Sequence, residues 1–143
     1  MKVTRETVRK LAVGKIAEVL APYKDVLRIR YPGQGPMDVT LNKSGYLSVE
    51  LIYLDGWSLG LGPDVGLRKV GSIKLVSHYK EGNPKDLQIS NEVLDILDSE
   101  LSATDKLFPL RLGPGEFVTS KDNPESGWIG EHLIIPFRYD TPK

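Results

Sequence analysis

The chain has no cysteine. Disulfides, thiolate metal sites and cysteine nucleophiles are therefore excluded, and the absence fits a reducing compartment. Histidine is scarce as well. Only His78 and His132 occur, and no HxH or HExxH spacing is present, so no metal site is legible. A charge of one sign is also lacking, because 19 lysines and arginines balance 19 aspartates and glutamates. A dedicated nucleic-acid binder usually carries a basic excess. A neutral chain has little colloidal repulsion and so suits a subunit that associates. Long apolar runs are missing too. No window approaches the ~20 apolar residues of a membrane span. The start, MKVTRETVRKLAVGKIAEVL, lacks the continuous apolar stretch of a signal peptide. The expectation is assembly in the cytoplasm, without a membrane.

What is present is globular material. With 143 residues, 40% apolar and 27% charged, the chain suits one domain that buries roughly two thirds of its unfolded surface. Thr4 to Ala21 reads as an amphipathic helix, with Thr4 as N-cap and Glu6 in the first turn. Val8, Leu11, Ala12, Ile16, Val19 and Leu20 recur at helical spacing until Pro22 stops it. Gly14 either weakens this helix by ~1 kcal/mol or admits a close neighbour. Alternation predicts strands over Val26–Tyr31, Tyr46–Leu54 and Val70–Tyr79. A long Gly-rich loop at 55–69 separates the last two, since four glycines and a proline in fifteen residues exclude a regular central strand. That loop carries Trp57, Leu59, Leu61, Val65 and Leu67, so it needs a surface to lie against.

Asn83 and Pro84 open a second helix that ends near Ala103. Leu87, Leu94, Leu97 and Leu101 form its stripe, and Ile89, Val93 and Ile96 widen it enough to lie across a sheet. A short strand is expected over Leu107–Leu112, a polar loop over Thr119–Gly127, and a last strand over Trp128–Tyr139. Pro136 cannot donate to a ladder, which places that strand at an edge or a bulge. The order α-β-β-β-α-β-β gives an α+β fold: a mainly antiparallel mixed sheet of about five strands with two helices packed on one face.

No catalytic signature emerges. The run Gly60 to Gly66 has neither GxGxxG spacing nor the Gly-Lys-Ser/Thr ending of a phosphate loop, so it reads as structural. No serine sits in a GxSxG elbow. A dispersed Ser-His-Asp set leaves no trace in sequence, so a small enzymatic or ligand-binding domain with His78 or His132 in a pocket stays as the rival reading. Asp95, Asp98 and Glu100 fall on the non-leucine side of the second helix and read as a solvated face. Arg28 and Arg30 share a strand face, and Arg68-Lys69 close the Gly-rich loop; these are the candidates for touching phosphate. Tryptophan and arginine dominate binding hot spots. The candidate interface is therefore Trp57, Leu59, Leu61, Arg68, Lys69, Trp128 and Arg138, with no catalytic, cofactor or metal residue expected.

Several local patterns together resemble a known family. The first helix leads to a strand ending in Tyr31-Pro32-Gly33. Tyr46-Leu47-Ser48-Val49 opens a strand that runs into the long loop. Arg68-Lys69-Val70-Gly71-Ser72-Ile73 begins the return strand, which reaches His78-Tyr79-Lys80-Glu81-Gly82. A helix from Asn91 to Leu101 follows, and Gly127-Trp128-Ile129-Gly130-Glu131-His132 through Ile135-Pro136-Phe137-Arg138-Tyr139-Asp140 closes the chain. In order and spacing, over most of its length, the chain resembles the tail terminator proteins of long-tailed bacteriophages.

The resemblance implies a mixed sheet flanked by helices, and a ring commonly of six subunits in the neck of the virion. Such a ring stops polymerisation of the tail tube protein and offers a surface to the head connector. Double-stranded DNA passes through its lumen without sequence specificity. The family has no cofactor and no catalytic residues to carry over. Other neck, head–tail connector and minor tail subunits have similar folds and remain the alternative. A ring needs two different patches per subunit that meet head to tail. The apolar loop at 55–69 and the edge-like last strand are the natural ones.

Overall fold

The computed structural model describes residues 3–35, 45–58, 66–123 and 127–141. Helix α1 (Arg5–Val19) begins where Thr4 and Thr7 cap each other. The Thr4 hydroxyl accepts from the Thr7 amide at 3.2 Å, and the Thr7 hydroxyl accepts from the Thr4 amide at 3.2 Å. Two of the amides that a helix start leaves unpaired are thereby satisfied. A single 3-10 turn, Ala21–Tyr23, follows at the proline. Strands β1 (Arg28–Arg30), β2 (Tyr46–Ser58) and β3 (Leu67–Lys80) precede helix α2 (Pro84–Leu101). Asn83 caps α2 by accepting from the Asp86 amide at 3.2 Å. Strands β4 (Arg111–Leu112), β5 (Glu116–Asn123) and β6 (Trp128–Thr141) complete the chain.

The six strands form one sheet in the order β1-β2-β3-β6, with β4 and β5 both paired to the far side of β6. Only β1 and β2 run parallel; the other pairs are antiparallel. The fold is thus α+β with a mainly antiparallel mixed sheet, as the alternation and helix periods predict. Side chains alternate across a strand. Leu47 and Val49, Ile73 and Leu75, and Leu133, Ile135 and Phe137 share one face and enter a single core with Val8, Ala12 and Ile16 of α1 and Val93, Leu94, Leu97 and Leu101 of α2. Both helices lie on that face. Lys15 reaches Glu100 at 3.8 Å and ties the two together.

The structure corrects several expectations. The last strand is not an edge: β6 pairs with β3 along its whole length and with β4 and β5 on its other side. Pro136 falls where the partner changes. Leu112 opposes Phe137 and Glu116 opposes Ile134, while the Pro136 carbonyl accepts from the Gly113 amide at 2.8 Å between them. The missing amide of Pro136 therefore faces the gap between β4 and β5 and breaks no ladder bond. The polar segment from Thr119 is not all loop, because β5 extends through Asn123. The short strand is shorter than expected, since residues 106–109 turn before β4 starts. Leu87 does not join the buried stripe of α2 but is exposed, and Ser90 takes the buried position instead.

The Gly-rich loop is also shorter than 55–69. Strand β2 continues through Asp55–Ser58 past a bulge after Leu54, and β3 starts at Leu67, so that Trp57 opposes Arg68. Gly56 makes the bulge possible: a Cβ there would collide with the Arg68 carbonyl. Leu59, Leu61 and residues 60 and 62–65 lie outside the described residues.

Two glycines have opposite consequences. A Cβ on Gly14 meets nothing within 4 Å. Gly14→Ala should therefore stabilise the protein by about 0.5–1 kcal/mol. A Cβ on Gly71 would strike the Ile52 carbonyl and the Phe137 ring. Gly71→Ala should destabilise by about 1–3 kcal/mol through overpacking. Urea unfolding of both variants checks this pair, and equal effects would show that neither environment is as described.

Candidate interaction surface

With both helices on one face, the other face of the sheet carries Ser48, Glu50, Ile52 and Leu54 from β2. From β3 it carries Arg68, Val70, Ser72, Lys74, Val76 and His78, and from β6 Trp128, His132, Ile134, Pro136, Arg138 and Asp140. The alternation and register fix this. Among the described residues no element covers that face.

Its two ends differ. At the Trp128 end the face closes on itself. The rings of Tyr46 and His78 stack with centroids 4.4 Å apart, and Trp128 packs against Tyr46 at 6.0 Å. The Ser48 hydroxyl and His78 Nε2 are hydrogen-bonded at 3.1 Å. Ser48 and Val76 are buried at this end. His78 thus serves packing. A serine–histidine contact alone is not a catalytic set, since the base needs an orienting group and the nucleophile needs access. His132 opposes Val76 in the ladder, on this same face. Among the described residues no group of three or more histidine, aspartate or glutamate side chains is placed to hold a metal ion.

At the other end the face is open. Leu54 is 58% exposed and Trp57 54%, and Ile52 is also exposed. Leu54, Trp57, Val70 and Pro136 line a cleft of about 410 Å³ together with Arg111 and Arg138. A second cleft of about 200 Å³ adjoins it, lined by Arg68, Phe108, Arg111, Arg138, Tyr139 and Asp140. Phe108 is 68% exposed, and the Arg111 guanidinium stands 5.8 Å from its ring centre. Large apolar side chains exposed together, rather than singly, mark interaction surfaces.

Electrostatics define the rim. Arg68 donates through Nε to Asp140 Oδ1 at 2.8 Å and through Nη2 to Oδ2 at 3.1 Å, a bidentate pair. That bond holds the Asp140 carboxyl below the ordinary aspartate range, and the charges of Arg68, Arg111 and Arg138 push the same way. Arg111 and Arg138 face each other directly across the β4–β6 ladder.

The sequence candidates therefore separate. Trp57, Arg68 and Arg138 come together at the open end. Lys69 follows Arg68 in the strand and takes the opposite face, opposing Tyr139. Trp128 opposes Lys80 at the far end, about 40 Å of strand from Arg68. Arg30 is occupied locally, donating to the Gly35 and Gln34 carbonyls at 2.9 and 3.0 Å and lying 4.0 Å from Glu50, so it braces the turn after β1. Sequence reasoning missed Leu54, Phe108 and Arg111. Phe108, a large apolar residue just before the proline that interrupts the expected strand, is the available signal.

No family model matches this chain, and no curated protein matches it. Among solved structures, it is similar to a chain of the virion of a native gene transfer agent particle. The identity is 14%, the match covers 87% of this chain and 85% of that one, and the TM-score is 0.46. A likeness of that degree carries no inference about function, which rests on the residues themselves.

The contrast between the two ends yields a test. His78→Ala leaves the buried Ser48 hydroxyl without the bond it has here and should lower subunit stability by about 1–3 kcal/mol. Trp57→Ala removes an exposed side chain and should change subunit stability by no more than about 0.5 kcal/mol. Denaturant unfolding of both variants below the concentration of any association separates them. A loss for Trp57→Ala as large as that for His78→Ala would make the tryptophan a core residue.

Proposed function

We propose that this chain is a structural virion protein, a single tail-terminator-like domain. It assembles into a ring that caps the phage tail tube, stops its polymerisation and joins the tail to the head connector. The observation that carries the reading is the open sheet face. A two-layer fold has one core, and here the uncovered side gathers Leu54, Trp57 and Phe108 beside three arginines instead of a polar surface. A surface of that composition has the aromatic and arginine content of binding hot spots. The order and spacing of the motifs from Tyr46-Leu47-Ser48-Val49 to Pro136-Phe137-Arg138-Tyr139-Asp140, which resemble tail terminators, point to the assembly.

On this reading the chain is not an enzyme and needs no cofactor. Its partners are copies of itself, most naturally six, together with the tail tube protein and the head connector, and DNA passes through the lumen. The self-contact is made by the open face and not by the edge of the last strand, because β4 and β5 already pair with most of the outer side of β6.

Native mass spectrometry of the purified protein and electron microscopy of particles test this directly. The expected result is a closed ring at the top of the tail. Particles lacking the protein should carry overlong tubes without heads. Normal-length tails without heads would instead make it a connector subunit. A strictly monomeric protein absent from particles would overturn the reading.

A further inference from the structure

We infer that the cluster of Arg68, Arg111 and Arg138 receives the carboxylates of helix α2 from a neighbouring copy of this chain. The inference rests on the ring reading and names the contact that closes the ring.

The cluster is unbalanced by itself. Like charges directly opposite each other in an antiparallel ladder repel, and Arg111 and Arg138 stand in that relation. The smaller cleft holds the carboxylate of Asp140, both of whose oxygens Arg68 engages, and the larger cleft holds that of Asp105 beside Arg111 and Arg138. Three guanidiniums against two carboxylates leave one positive charge in excess across the adjoining clefts. A further anionic group is what this geometry accommodates.

The same chain carries the complement. Beyond Lys85, α2 has five carboxylates, Asp86, Glu92, Asp95, Asp98 and Glu100, and no basic residue. Asp86 is buried and Lys15 lies 3.8 Å from Glu100, whereas Glu92 and Asp95 are exposed. The arginines lie on the open sheet face and α2 lies on the other side of the sheet. A contact between opposite faces of one subunit is heterologous: each copy offers both halves, so it propagates from copy to copy and closes into a ring if the rotation allows. Two-fold pairing of like faces would instead set arginine against arginine. Leu54 and Trp57 beside the cluster, and the exposed Leu87 on α2, supply apolar contact around the charges.

The test is charge exchange in the full chain, read by native mass spectrometry and sedimentation at low and high salt. Arg111→Glu with Arg138→Glu should weaken association at least about tenfold, since reversing charges at a complementary contact makes it repulsive. Glu92→Lys with Asp95→Lys should do the same. Mixing the two variants should restore heteromeric association, because each keeps one native half and the altered halves complement each other. The chain carrying all four changes should form rings again. Unfolding transitions check that each variant folds, and the milder Arg111→Gln should shift association in the same direction. Rings unaffected by any reversal would overturn this inference and leave the ring reading intact. Rings unaffected by reversal but with reduced binding of a DNA duplex would assign the arginines to phosphate and overturn it as well. A wild-type chain that stays monomeric at every concentration would remove both readings.

Discussion

Strands β3 and β6 pair from Leu67 opposite Thr141 to Lys80 opposite Trp128, with no bulge between. A one-residue slip of either strand would turn Ile73 and Leu75, or Leu133 and Ile135, out of the core. The register is therefore fixed by the hydrophobic face, and the rest of the sheet follows from it. Strand β2 pairs on one side, and β4 and β5 divide the other side at Pro136. Gly71 sits in the middle of this ladder and leaves space for the Phe137 ring. The helices then have one face to cover, and they cover the one that this register makes apolar.

The same register decides what is left open. Because the ladder alternates strictly, Arg68, Arg138 and Asp140 are placed on the uncovered face together with Val70 and Pro136. The bulge after Leu54 returns Trp57 to this face opposite Arg68. Without the bulge, and the glycine that permits it, the tryptophan would not stand across from the arginine. At the other end Tyr46, His78 and Trp128 pack together, and Ser48 and Val76 are buried. Within the subunit the face is thus packed at one end and open at the other, and that division underlies the proposed assembly.

Much of this fold is legible in the sequence. The α1 cap at Thr4, the α2 cap at Asn83 and the apolar stripes of both helices follow from periodicity and side-chain chemistry. The misread parts share a cause. On local grounds glycine and proline read as strand breakers, yet Gly56 sits in a bulge and Pro136 at a change of partner, two settings that only the neighbouring strands define. The open surface was half legible for the same reason. Trp57, Arg68 and Arg138 stand out as residue types, whereas Arg111 becomes informative only when the β4–β6 register sets it opposite Arg138. Trp128 and Lys69 are of equally suggestive types, but the ladder sends one to the far end and the other to the opposite face.

The central claim is that the open end of the sheet is covered by another subunit. Hydroxyl-radical footprinting of Trp57 and Phe108, compared between the dissociated protein and assembled particles, tests it most directly. The account predicts strong labelling of both rings in the free subunit, where each is more than half exposed, and protection of both on assembly. Equal labelling in the two states would contradict it.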